Sequence, residues 1–174
     1  MPQNVCMAHR IIRLVGEINE QMYLTLSKRL ATFEAESTTK LIDIELSSGG
    51  GSTVDALAIV GRMRASNVVL RVTAYGTCQS AAVLILAAGD YRRISSECWV
   101  MVHEESSKLS GSTSEIANAS RHMDREEQHW NDLLAQYTQT PSEAWAKLAR
   151  ETTYLDAKQA FQLGLADEIF KGKK

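Results

Sequence analysis

Between Val68 and Gly89 the chain passes from an apolar, β-branched stretch ending at Tyr75, through Gly76-Thr77-Cys78-Gln79-Ser80, into Ala81–Ala88, where no side chain is polar. A segment with no polar face must be covered on all sides. The spacing predicts a buried strand over Val68–Tyr75, broken at Gly76, and a buried helix over Ala81–Ala88 that stops at Gly89. Ser80 is then the last polar side chain before that helix, beside its free N–H groups and at the positive end of its dipole. Two roles fit a serine there. It can cap the helix, as serines before helices commonly do, or it can be a nucleophile whose developing oxyanion meets those N–H donors.

The rest of the chain alternates around this unit. Met1–Arg10 shows no periodicity and is expected to be a short flexible lead. Arg10–Gly16 predicts a strand, Asn19–Glu36 an amphipathic helix, and Leu41–Leu46 a strand of alternating apolar and acidic residues. A tight loop, Ser47-Ser48-Gly49-Gly50-Gly51-Ser52, follows and leads into a helix over Thr53–Arg64. Strand, helix, strand, glycine loop, helix, strand, Ser80 turn and helix together predict parallel strands with right-handed crossovers, an α/β fold. Such folds place ligands at turns from strand to helix. Ile94–His103 predicts a buried strand ending on His103, then a polar, exposed Glu104–Ser112. A long charged helix follows over Ser114–Tyr137, whose mixed charges suit a solvated or helix-packing face. Pro141 opens a helix through Leu148, and Thr152–Leu155 is extended. Asp156 caps a helix ended by Gly164, and Ala166–Phe170 is a last strand.

A chain of 174 residues fits one domain with a proper core. A net charge of −2, with no basic run beyond Lys171-Gly172-Lys173-Lys174, gives no reason to expect nucleic acid. No apolar run reaches the roughly 20 residues that cross a bilayer, and no signal-peptide core is present, so a cytoplasmic location is expected. Cys6, Cys78 and Cys98 have neither the number nor the spacing of a disulfide framework or zinc site. Cys78 could be a nucleophile or a small buried thiol. No cofactor or metal is expected: the glycine loop lacks the Lys of a phosphate loop, and no G-x-G-x-x-G is present. Serine hydrolysis needs a hydroxyl, a base and N–H donors. Ser80 at a strand-to-helix turn, His103 at the end of another strand and Gly49-Gly50-Gly51 after a third could supply them. His103 could equally be a core histidine. His9, His122 and His129 fall in the lead or on the charged helix.

These segments resemble, over about Arg10–Phe170, the proteolytic subunit of the Clp protease (ClpP) family. Ser48-Gly49-Gly50-Gly51-Ser52 resembles its Ser-Pro-Gly-Gly-Ser loop. Gly76-Thr77-Cys78-Gln79-Ser80-Ala81-Ala82 resembles its nucleophile turn, and Val100-Met101-Val102-His103 its Met-Ile-His strand end. Tyr154-Leu155, Ala157, Ala160, Gly164-Leu165 and Asp167 resemble its C-terminal helix and strand. The resemblance implies a ClpP/crotonase-like fold of stacked β-α-β units, one domain over residues 1–174, with a long-helix handle at about 104–137. It implies a serine endopeptidase with Ser80 as nucleophile, His103 as base and then acid, and the N–H groups of Gly51 and Ala81 as oxyanion hole. Gly50, Ser52 and Glu104 would flank an extended peptide or unfolded protein. The implied assembly is a homo-oligomeric chamber of stacked rings, a tetradecamer, fed by an ATP-dependent unfoldase.

Two positions depart from that pattern. The third catalytic position, an Asp in the family, is Thr152. Its neighbour Glu151 would point the other way in an extended strand. Thr152 supplies no charge, and in the serine-protease template replacing that Asp by an amide costs about 10⁴ in kcat. The chain also starts close to its first strand, leaving little room for the N-terminal loops that dock an unfoldase. The alternative is therefore a catalytically weak or inactive ring subunit of the same fold. A crotonase-type acyl-CoA enzyme is a third reading, in which the Ser80/His103 pair is not expected.

Overall fold

Alternation of strand and helix in the sequence becomes a sheet with its helices packed against it in a computed structural model that describes residues 10–37, 39–105 and 108–172. In chain order the elements are β1 (Ile11–Val15), α1 (Glu20–Glu36), β2 (Ile42–Ser48), α2 (Thr53–Arg64), β3 (Leu70–Gln79), α3 (Ala81–Ala87) and β4 (Tyr91–Ser95). Then come β5 (Trp99–Val102), α4 (Thr113–Thr138), α5 (Ser142–Arg150), β6 (Thr153–Leu155), α6 (Ala157–Gln162) and β7 (Glu168–Phe170). The main sheet runs β1-β2-β3-β4-β7, all parallel, and β5 pairs with the far end of β3 and, antiparallel, with β6. This is the α/β class predicted from the order of elements.

Alternation in β2 buries Ile42, Ile44 and Leu46 completely and turns Asp43 and Glu45 outward. There they meet Arg71 and Arg13 on the flanking strands. All seven residues of α3 are buried, as a helix without a polar face requires. Residue 10 departs from the reading of the lead as flexible. Arg10 is buried, and its guanidinium donates to the carbonyls of Lys40, Phe33 and Ser37, tying the end of α1 to the entry of β1. Met1–His9 lie outside the described residues.

Gly76 does not break β3. Leu70–Ala74 lie between β2 and β4, whereas Thr77–Gln79 pair with β5. Gly76 sits between the two ladders with φ +59°, a conformation open to glycine at no steric cost. The β2 register also shifts there. The strand thus changes partner at a bulge and continues to Ser80. The stretch expected as one strand over Ile94–His103 is two, because a turn at Ser96–Glu97 separates β4 from β5, and most of β4 escaped the periodicity reading. The long helix α4 packs only through its C-terminal half, burying Asn131, Leu134 and Thr138, while Thr113–Ala117 are exposed. Among the described residues no helix is long and apolar enough to cross a membrane, and no group of His, Cys, Asp and Glu could hold a metal ion.

Candidate active site

The Ser80 turn is shaped by what precedes it. The Ser80 N–H donates to the Met101 carbonyl at 2.7 Å, extending the β3–β5 ladder by one bond. The backbone then turns sharply into α3, leaving Ser80 at φ +52°, ψ −124°. A non-glycine residue in this region stores about 1–3 kcal/mol of strain and persists only where its surroundings impose it. Nor does Ser80 act as the N-cap its position suggests, since its side chain accepts no bond from the first turn of α3. Its Oγ lies 2.9 Å from Nε2 of His103, at the end of β5. That is the contact a nucleophilic hydroxyl makes with a general base. Both residues are half-buried, so the pair faces accessible space.

The glycine loop closes the other side. A Cβ on Gly50 would stand 2.7 Å from Cβ of Ser80 and 3.0 Å from the Gln79 carbonyl, and Gly50 has φ +103°. Only bare backbone fits there. Hydrogen bonds hold the loop in place: Gly50 N–H donates to Ser48 Oγ at 3.1 Å, Ile18 N–H to the Gly50 carbonyl at 2.9 Å, and Ser52 N–H to the Ile18 carbonyl at 2.9 Å. Gly51 and Ala81 line one cavity with Ser80 and His103. As the first residue of α3, Ala81 has an N–H without an intrahelical acceptor.

Of the residues singled out from the sequence, Ser80, Ala81, His103, Gly51 and Glu104 share this cavity, of about 380 Å³. Gly50 supports Ser80 from outside it. Ser52 has its hydroxyl occupied, accepting from Asp55 N–H at 3.1 Å as the N-cap of α2. Thr152 is not in an extended strand. It is an exposed turn residue with φ +48°, and β6 begins only at Thr153. The antiparallel register ends on the pair Val102 and Thr153, so Thr152 and His103 each lie one residue beyond the last rung, and Thr152 does not line the cavity. Among the described residues, none hydrogen-bonds to Nδ1 of His103. The thiol alternative is removed: Cys78 is fully buried, and burial pushes its thiol well above the ordinary range and that of Cys98 up to about 12. His122 and His129 are exposed on α4 and do not themselves line the cavity, and His9 lies outside the described residues.

Sequence reasoning missed the opposite wall. Glu126, Glu127, Trp130, Asn131 and Leu134 of α4 and Trp145 of α5 line the same cavity. The spacing of Glu127, Asn131 and Leu134, four and then three residues apart, puts one polar-to-apolar stripe on a single helix face. That pattern was visible but was absorbed into a generally charged helix. Residues 2–173 of the chain match a family model described as Clp protease.

Proposed function

Because the chain belongs to the Clp protease family, we propose that it is a serine endopeptidase that cuts peptides or unfolded chains within a ring-shaped homo-oligomeric chamber. The observation that carries this reading is the 2.9 Å contact between Ser80 Oγ and His103 Nε2, made by a serine whose hydroxyl does not cap its helix. His103 takes the Ser80 proton as Oγ attacks the peptide carbonyl, and the resulting imidazolium returns it to the leaving amine. The N–H groups of Ala81 and Gly51 receive the oxyanion. Water then hydrolyses the acyl-enzyme with His103 again as base. An extended substrate lies along the glycine loop and Glu104, with its backbone paired as an added strand. An ATP-driven unfoldase would serve such a chamber by feeding it unfolded chains.

The test is labelling of Ser80 by a fluorophosphonate, with peptide cleavage abolished by Ser80→Ala. Failure of the assembled wild-type protein to label would overturn the reading. One observation favours a second reading, a catalytically weak or inactive ring subunit. The resemblance sets Thr152 where the family has an Asp, and among the described residues none hydrogen-bonds to Nδ1 of His103. Cleavage by the purified homo-oligomer, lost in Ser80→Ala, rejects it.

A further inference from the structure

The cavity beside Ser80 carries an unusual distribution of charge. Four of its lining residues are Glu104 and Glu105, directly after His103, and Glu126 and Glu127, from the facing wall of α4. No Lys or Arg lines it among the described residues. Burial and the neighbouring charges of Glu104 and Asp124 push the Glu127 carboxyl up, while Arg150 offsets part of this. His122 approaches Glu126 at 3.4 Å from the solvent side. Glu127 thus sits in partly desolvated surroundings with the charge of Glu104 acting on it across the cavity, which a cation would relieve.

A second feature points into the same space independently. Asn131 is 3% exposed and lines the cavity, yet its side-chain amide hydrogen-bonds to no described residue. Its amide is not among the fully enclosed unpartnered polar atoms, so the little surface it keeps opens into the cavity, where a ligand's polar group can meet it. Asn131 lies one helical turn beyond Glu127 on the same face. Around these polar groups the lining is apolar, with Leu57, Trp130, Leu134 and Trp145. Apolar walls with carboxylates and a free amide oxygen match an aliphatic stem that ends in a cation. They do not match a metal ion, which would need clustered ligands.

Resting on the serine-peptidase reading, we propose that this cavity is a specificity subsite for a lysine or arginine side chain flanking the scissile bond. The methylenes pack on Trp130 and Leu57. The cationic head is held by the Glu127 and Glu126 carboxylates and by Oδ1 of Asn131. The about 380 Å³ of space admits one such side chain and leaves room for water. A norleucine in the same place keeps the stem and loses the charge, leaving the carboxylates facing one another.

The experiment compares two fluorogenic peptides that differ only by lysine or norleucine at the position next to the cut, each in two versions with that residue on one or the other side of the bond. The assembled full-length protein is used. On one side of the bond the lysine peptide is expected to have a kcat/KM at least about tenfold higher, the effect of about 1.4 kcal/mol of selective binding. The ratio falls toward one in Glu126→Gln/Glu127→Gln and falls severalfold in Asn131→Leu. Binding of the same peptides to Ser80→Ala, read by fluorescence anisotropy, shows the same order of affinity. A ratio near one in the wild type, or one that survives the double substitution, overturns the subsite. If the protein neither cleaves nor labels but Ser80→Ala still prefers lysine by the same factor, the peptidase reading falls and the subsite stands. If it cleaves both peptides equally, the subsite falls alone.

Discussion

Replacing Thr152 by Asp is expected to bring a carboxylate near His103, because both residues adjoin the last rung of the β5–β6 ladder. The β5–β6 pairing runs Val100 with Leu155, Met101 with Tyr154 and Val102 with Thr153, so residues 152 and 103 each lie one step beyond the last rung. Two unit charges about 4 Å apart attract by about 4 kcal/mol at an effective dielectric of ~20. Residue 152 is exposed, and exposed pairs deliver only about 1 kcal/mol or less. An intermediate value of about 1–2 kcal/mol, acting on the imidazolium of the transition state, raises kcat/KM about 5- to 30-fold. This is far below the about 10⁴ of a buried Asp in the serine-protease template. The backbone tolerates the change, because φ +48° suits Asp better than β-branched Thr. The melting temperature therefore does not fall. A carboxylate facing the imidazole favours its charged form, so the acid limb of kcat/KM moves to higher pH. The assay is hydrolysis of a fluorogenic peptide across pH by the assembled variant. An unchanged kcat/KM and an unmoved acid limb, with the fold intact by circular dichroism, would refute the reasoning that a carboxylate at residue 152 reaches the imidazole.

Ser80→Gly removes the side chain that φ +52°, ψ −124° disfavours and releases about 1–3 kcal/mol of strain. Calorimetry should show a melting temperature about 2–12 °C higher, while fluorophosphonate labelling disappears. Gly50→Ala forces a Cβ to within 2.7 Å of Ser80 Cβ at φ +103°. Displacing the nucleophile by a fraction of an ångström to about 1 Å should lower kcat/KM by about 10²-fold or less, with a lower melting temperature. Cys78 and Cys98 should resist iodoacetamide at pH 8 in the folded protein and react on unfolding, read by peptide mass spectrometry. The folded-state shift of Cys98 is upward, from 9.0 to about 12, so the folded state holds its proton more tightly. Its contribution to stability is therefore complete below about pH 9 and is lost as pH rises toward 12, which denaturant titrations across that window would detect.

Where the pattern was local, it was legible. Two-residue alternation in Ile42–Leu46 and the absence of any polar residue from Ala81 to Ala88 each dictate a burial pattern, and the structure has both. Where the outcome depended on a distant partner, local reading failed. Gly76 looked like a strand end because a glycine interrupts side-chain packing. Whether the ladder resumes depends on β5, some twenty residues later, offering Trp99–Met101 to Thr77–Gln79. Most of β4, Tyr91–Ser95, was overlooked because its core-facing residue is Ile94 alone. The extended reading of Thr152 failed for a related reason: the end of α5 carries the chain through a left-handed turn before β6 can begin.

Residue order alone determined the α/β alternation and offered Ser80 and His103 as candidates, because periodicity and glycine placement act through backbone geometry over a few residues. It could not say that Ser80 leaves its helix uncapped, that the imidazole stands 2.9 Å away, or that Glu127 and Asn131 form the wall facing them. Those facts were decided by packing. A hydrophobic stripe states that a helix face will be covered, but not what will cover it. Only the closed tertiary structure brings side chains more than fifty residues apart into one cavity.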